Sequence, residues 1–532
     1  MDIEEKGTST GGSTMEKHLN HNTDNPDRRE SKLKREMSTR QISMIAVGGT
    51  IGTGLFVASG SAFATAGPAG ALVSYLLIGL CVFFVMTSLA EISAFMPIPG
   101  SFNIYGIRFI DPAFGFAVAY NYWYSWVTTV ASDVIAAGIV VKFWLPNVEP
   151  ILWAALILLL CFLFNVLGGK SFAEFEFWFS LIKVVAIVAF IVIAICVAAG
   201  WIGGVKYGFT NWSGENGAFA GGVGGVVKVF LVAGFSFQGT EIIGTTSGES
   251  SNPTKDIPTA IRSIFWRILL FYVLTIFLVG LIVPSNTPGL LDGDVDNLAV
   301  SPLVIVLRLA KIQPAAHIMN AVILTSVFSA GNSGLYLTTR TLYALALERS
   351  APKLFTRTTK SGTPIFSLIL NVFLVCVFVG VSYIGDQVVY LWLVNLTGIA
   401  GFIAWLGILA THYRFRKAYI YQGYNIKDLP YRASLYPFGP IFSFLMLAFA
   451  CIGQGYTSIF GDDGFVVDDF LQAYLGFPIF LALFFFWKFY KRTKFVKLAE
   501  MDLETDNYIA QGFVNYSQEL KTFGAKLRSM LY

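Results

Sequence analysis

Three ionisable side chains lie where a charge is costly. Asp133 (in TTVASDVIAAG), Lys183 (in WFSLIKVVAIV) and Glu241 (in FSFQGTEIIG) each interrupt a long apolar run. In hydrocarbon such a residue is by default functional, as a proton carrier or as the counter-charge of a polar ligand. Glu241 leads, because a desolvated carboxyl can exchange a proton within reach of neutral pH. The competing reading is a structural ion pair between Glu241 and a neighbouring base. Lys183 stands about six residues from a basic boundary, so snorkelling of its ammonium competes evenly with a functional role. Glu91 (SLAEISAFMP) and Glu249 (SGESSNP) fall nearer the ends of their runs and are expected to make local caps or salt bridges. That leaves Asp133 and Glu241 as the only deep acids expected. The aromatic run Asn121 to Trp126 (NYWYSW) reads as packing or interfacial belt ahead of a substrate path.

Two glycine-rich stretches accompany these residues. GGTIGTG (Gly48, Gly49, Thr50, Ile51, Gly52, Thr53, Gly54) places four glycines in seven residues of one apolar run. Each weakens a helix by up to about 1 kcal/mol. AGFSFQGTEIIG does the same with Gly234, Gly239 and Gly244 beside Glu241. Unwound backbone at membrane depth is tolerated only where it lines a cavity or is buried in protein. Close helix packing is the alternative for the first stretch, since Gly48 and Gly52 make a GxxxG. Interrupted helices at corresponding places in two halves point to a transporter site at a repeat interface. The N–H groups freed at such a break suit a carboxylate and the freed carbonyls suit a cation. An amino acid carries both charges.

The elements that must position these groups follow from composition. Of 532 residues, 55% are apolar and 13% charged, against a usual charged share of roughly 25%. Runs of about 20 apolar residues cross roughly 30 Å of hydrocarbon. Spans are expected near residues 42–66, 69–96, 114–145, 151–168, 176–200, 226–248, 262–284, 314–345, 365–384, 387–411, 435–460 and 470–490. These twelve make an all-α membrane protein, and the five-span offset between the two broken helices makes it a 5+5 inverted repeat with two added spans. Arg28, Arg29, Lys32, Lys34, Arg35 and Arg40 precede span 1, and Lys488, Lys491, Arg492, Lys494 and Lys497 follow span 12. The loop set with Arg349, Lys353, Arg357, Lys360, Arg414, Arg416, Lys417, Lys427 and Arg432 lies on the same side. Asp292, Asp294, Asp296, Asp386, Asp462, Asp463, Asp468 and Asp469 lie on the other. The positive-inside rule then puts both termini in the cytoplasm. Residues 1–41 are expected to be a disordered polar tail without a signal peptide, 42–490 the membrane domain and 491–532 a second cytoplasmic tail.

Several chemistries are disfavoured. A net charge of +4 is too weak to argue for nucleic acid. GGKS at Gly168–Ser171 would need glycine where Phe164 stands to make a phosphate-binding loop, and it follows a membrane helix instead of a strand. Cys81, Cys161, Cys196, Cys376 and Cys451 are scattered in apolar runs and read as buried small hydrophobes. His18, His21, His317 and His412 form no dyad or metal spacing. No enzyme motif, metal or cofactor is expected, and transport would be driven by a gradient.

GGTIGTGLFVASGSAFATAGPAGALVSYLLIGLCVFFVMTSLAEISAFMPIPGSF, FGFAVAYNYWYSW, FEFWFSLIKV, FSFQGTEIIGTTSGESSNP, NAVILTSVFSAGNSGLY, RTLYALALERSAPK and LPYRASLYPFGP together resemble the amino acid permeases of the amino acid, polyamine and organocation superfamily. The resemblance runs in order from about Met37 to Phe495, and FWRILLFYV and YLWLVNLTGIAGFIAWLGI bring it nearest the lysine-specific branch. It implies a LeuT-like fold and proton-coupled uptake of a basic amino acid by alternating access in the plasma membrane. It also implies site residues. The substrate carboxylate would meet Gly52, Thr53 and Gly54, with Ile51 adjoining. The ammonium would meet carbonyls around Phe235 and Ser236, with Glu241 close by. Lys183 matches a coupling lysine, and Asn332 and Ser333 match a span 8 pattern near the site. Relatives carry Glu where Asp133 stands, one methylene longer. L-lysine, protons and the lipid bilayer are the expected partners. A sodium-independent exchanger and a membrane amino acid sensor are the rival readings.

Overall fold

The computed structural model describes residues 51–98, 100–213, 217–250, 252–288, 290, 301–460 and 465–515. Gly48, Gly49 and Thr50, the start of span 1, the N-terminal tail and Asp292, Asp294, Asp296, Asp462 and Asp463 lie outside these residues, as does the side chain of Glu249. Among the described residues the regular structure is helical. Six helices are long and apolar enough to cross a membrane: Gly54–Phe95, Pro112–Val141, Phe172–Ala198, Gly222–Gly244, Gln313–Leu347 and Val388–Tyr421. Val467–Tyr474 and Gly476–Lys491 make a seventh, bent by 46°. Pro150–Val166, Leu270–Ile282, Ile365–Val381 and Phe438–Gly453 are shorter apolar helices.

Each expected span has a helical counterpart, with instructive differences at the ends. Gly54–Phe95 holds spans 1 and 2 across a corner at Gly67 (φ 71°, ψ 178°), followed by Pro68. Proline has no amide hydrogen to continue the ladder, and glycine supplies the left-handed φ. A Cβ on Gly67 would lie 2.8 Å from the Ala220 nitrogen, so the corner also packs against the chain entering span 6. Span 5 begins at Gly169, seven residues earlier than expected. Span 10 runs on to Tyr421, so Arg414, Arg416 and Lys417 sit on a helix that outlasts the apolar run and not in a loop. Two short helices, Phe102–Phe109 and Pro302–Leu309, escape a reading based on spans because neither is long enough to cross.

The core forms where spans 1, 3, 6, 8 and 10 meet. Gln313–Leu347 and Asp386–Tyr421 both pack along Pro112–Val141, while Gly222–Phe237 packs along span 2. Nearly all of Pro112–Val141 is buried, whereas much of Pro150–Val166 and Gly169–Ala198 keeps an apolar surface open to its surroundings. A solvent-facing helix would carry polar residues there, so these faces suit lipid. Cys376 is exposed on such a face, against the expectation of burial; Cys81, Cys161 and Cys451 are buried.

Beyond Lys491 the chain folds back as a strap, residues 493–515, over one end of the bundle. The Val496 amide donates to the Ile110 carbonyl at 2.9 Å, and the Tyr508 amide to the Phe95 carbonyl at 2.7 Å. Arg108 binds Asp506 at 2.6 Å, and Gln422 donates to the Leu498 and Met501 carbonyls at 2.9 and 2.8 Å. Met501, Leu503 and Tyr508 of the strap are buried against the bundle. At the same end, Glu91 accepts both arms of Arg416 at 2.6 Å and the Ala433 amide at 2.6 Å, with His412 at 3.2 Å. Glu91 is thus a salt-bridge residue, as expected.

Candidate functional site

The site is built where span 6 breaks and crosses span 1 at a π-helical turn. Span 6 stops at Phe237 and restarts at Ile242, with Gly239 at φ +94° in between. No side chain is comfortable at that φ, which explains the glycine. Span 1 passes through a π-helical turn, Gly54–Ala58, where it crosses span 6. A Cβ on Gly54 would come within 2.3 Å of the Ser236 Cα, so close approach of the two backbones requires glycine here. A second π-helical turn, Ile268–Val273 in span 7, carries Tyr272, whose hydroxyl donates to the Ser236 carbonyl at 2.9 Å. Such turns shift helix register and recur at functional sites. The Ser236 hydroxyl meets Tyr75 at 2.8 Å, which ties span 2 to the same point.

Two acids face this crossing. Glu241 is buried in the break. Its Oε1 accepts from the Tyr122 hydroxyl at 3.3 Å and the Gly239 amide at 3.2 Å, and its Oε2 from Trp405 Nε1 and Thr240 Oγ1 at 3.4 Å each. No described base pairs with it, so the structural ion pair drops out. On the other side Asp133 accepts from Thr53 Oγ1 at 2.6 Å, while its buried Oδ2 has no hydrogen-bond partner. The shorter acid of span 3 therefore reaches span 1. The Tyr390 hydroxyl of span 10 is also buried without a hydrogen-bond partner and lies in the field of Asp133. Buried acceptors left open in a polar cluster are what a ligand ammonium satisfies.

Lys183 does not snorkel. It is buried, its Nζ lies 3.7 Å from Glu176 Oε1 in the same helix, and Asp133 acts on it electrostatically. Glu176 corrects the sequence reading, which held Asp133 and Glu241 to be the only deep acids: it is fully buried, as is Glu91.

This helical arrangement has known counterparts. The sequence profile of the family described as amino acid permease matches residues 41–500. The chain belongs to the amino acid permease family. The permease is 46% identical over 472 residues to the lysine-specific permease LysP of Escherichia coli, covering 88% of this chain and 96% of that one. It is 43% identical over 478 residues to the histidine permease HisP of Lactococcus lactis, covering 90% and 99%. Among solved structures it resembles a manganese transporter of Eremococcus coleocola at a TM-score of 0.51 and 13% identity, covering 91% of this chain and 96% of that one. That likeness speaks for the fold alone. The permease is thus a multi-pass helical membrane protein of an amino acid transport family.

Within it the expected residues divide. Ile51, Gly52, Thr53 and Gly54 line the span 1 side: Ile51 O accepts from Ser326 at 3.0 Å, and a Cβ on Gly52 would touch Ala330 at 3.0 Å. Phe235 and Ser236 end the first half of span 6, and the Phe235 carbonyl accepts from the Gln238 amide at 3.2 Å. A carbonyl has two lone pairs, so each of these can still meet an ammonium. Asn332 turns the other way, its Oδ1 accepting from Asn165 of span 4 at 2.8 Å; the Ser333 hydroxyl is buried without a hydrogen-bond partner. The cluster also contains residues that the sequence reading missed or set aside, namely Tyr122, Trp405, Tyr390, Tyr75 and Tyr272. NYWYSW contained the signal for Tyr122, because one aromatic in it must face the interior of a buried helix. GGKS opens span 5 after a helix, with Gly168 at φ +99° against Ser361. On the opposite end from the strap, a cavity of about 170 Å³ lies among Ser61, Thr65, Asn395, Gln454 and the Lys228–Asp469 ion pair (3.1 Å).

Proposed function

We propose that the protein is a proton-coupled importer of L-lysine, with a twelve-span inverted-repeat architecture, both termini in the cytoplasm and the plasma membrane as its location. The observation that carries this reading is the acid pair at the crossing of spans 1 and 6. Asp133 keeps an open carboxylate oxygen, and Glu241 is held by four donors and no base. A cationic substrate needs such acids, and the lysine-specific relatives from Escherichia coli and Lactococcus lactis, at 46% and 45% identity, support the choice of lysine.

In this reading the α-carboxylate meets the freed backbone of Gly52, Thr53 and Gly54, and the α-ammonium meets the carbonyls of Phe235 and Ser236. The side-chain ammonium is countered by Asp133 or Glu241. Lys183 and Glu241 exchange the coupled proton, and alternating access comes from repacking of the broken helices. The test is uptake of labelled lysine into liposomes under an inward proton gradient. Glu241→Gln cannot ionise and is expected to lower gradient-driven uptake at least tenfold. Wild-type-like uptake by that variant across the pH range would reject the role. A competition panel of lysine, arginine, histidine, ornithine, phenylalanine and proline checks the substrate class: basic side chains should compete and phenylalanine and proline should not.

A further inference from the structure

Glu176 sits seven residues before Lys183, on the same face of span 5 and about 10 Å lower along the axis. Side chains lean toward the N-terminus of their helix, so the lysine stem reaches back toward the acid. The two charged ends are 3.7 Å apart and fully buried. Glu176 is anchored from a second helix: Oε2 accepts from Ser329 of span 8 at 2.7 Å, and Oε1 from Ser180 at 3.4 Å.

A purely structural ion pair at this depth is poor economy of interaction, because desolvating both charges often exceeds their attraction and apolar replacements are commonly as stable. The pair instead has a property that apolar residues lack. One proton moving from the Lys183 ammonium to the Glu176 carboxylate leaves a neutral amine and a neutral carboxylic acid, so both buried charges vanish together.

We propose that Glu176 is a proton relay, receiving the coupled proton from Lys183 and handing it on toward the Gly169 end of span 5. This rests on Lys183 being a coupling residue, as proposed above. The surroundings give the transfer a direction. Asp133 of span 3, hydrogen-bonded to Thr53, acts on Lys183 electrostatically, and Tyr390 of span 10 lies in the field of Asp133. Span 4 contributes Cys161 near Asp133, and Leu274–Ile282, which also packs on span 5, brings no titratable side chain. One turn below Glu176, Phe172 stacks on Tyr336 of span 8 at 4.0 Å, with the Arg340 guanidinium 4.4 Å over the Tyr336 ring. Glu174 faces outward on the same helix. Glu176 is therefore the described acid between Lys183 and that end which is shielded from the surroundings.

The test compares full-length wild type, Glu176→Gln and Glu176→Asp in liposomes. Three readings are taken: lysine accumulation driven by an inward proton gradient, lysine counterflow at equal pH, and lysine-induced acidification reported by a trapped dye. In Glu176→Gln the ratio of driven accumulation to counterflow, and the acidification, should each fall at least tenfold, with partial recovery in Glu176→Asp. If wild type accumulates lysine and Glu176→Gln does so with the same ratio, the relay is overturned alone. If both variants lose counterflow and accumulation in parallel, the role is structural and the relay is overturned. Wild type without gradient-driven accumulation overturns the symport reading, and the relay with it. Ser329→Ala, which removes the donor to Oε2, supplies a milder check. It should displace the pH midpoint of driven uptake by about half a unit or more, and an unmoved midpoint counts against the relay.

Discussion

Arg416 holds the Glu91 carboxylate with two parallel hydrogen bonds of 2.6 Å, in a place from which water is excluded. Removing one member of such a pair leaves an uncompensated buried charge, a loss of about 3–5 kcal/mol. Arg416→Ala should lower the thermal midpoint of the detergent-solubilised protein markedly. Arg416→Lys should fall between, because an ammonium cannot present the two-pronged geometry; a midpoint that stays put in both variants would refute the role. At this scale the sequence was legible where chemistry and context agreed. Glu91, at the end of its apolar run, reads as a salt-bridge residue and is one. Glu176 does not read as deep because the apolar run of span 5 starts, by hydropathy, at that very residue. The helix starts instead at Gly169, two turns earlier, which carries Glu176 inside. Tyr390 and Trp405 were illegible for another reason: an aromatic in an apolar run gives no sign of which neighbour its polar atom will face.

At the scale of elements, the corner at Gly67 joins spans 1 and 2 without a loop. Its φ of +71° and the 2.8 Å approach to Ala220 leave no room for a methyl group. Gly67→Ala should cost about 1–3 kcal/mol in stability, read as a lowered thermal midpoint, and an unmoved midpoint would refute the strain at the corner. The corner was readable from Gly67-Pro68, since proline ends a ladder and glycine tolerates the turn. The break in span 6 was readable in the same way from Gly239. The π-helical turns at Gly54–Ala58 and Ile268–Val273 were not. They depend on how two helices settle against each other across the site, and neither helix alone encodes that. Helix ends were the least legible feature. Hydropathy marks where the lipid ends, whereas span 10 continues to Tyr421 because its extension is held by contacts to Glu91 and the strap.

The whole molecule moves charge if it imports lysine with a proton. Each elementary charge carried inward gains about 2.3 kcal/mol per 100 mV of inside-negative potential, roughly fifty-fold in the accumulation ratio. A potassium diffusion potential of that sign, applied at equal pH, should therefore raise steady-state lysine accumulation in liposomes, and reversing its sign should suppress it. Uptake indifferent to the potential would exclude net movement of charge. The strap adds a different consequence, one of timing. Arg108 and its partner Asp506 are separated by 398 residues of chain. At a synthesis rate of about 5–20 residues per second, Arg108 waits roughly 20–80 s for Asp506 to emerge. Until then the Phe95 and Ile110 carbonyls lack their strap partners, so this end of the bundle is finished only after the described spans have been made. A product terminated before the strap would carry every described span and still present an open, unclasped face.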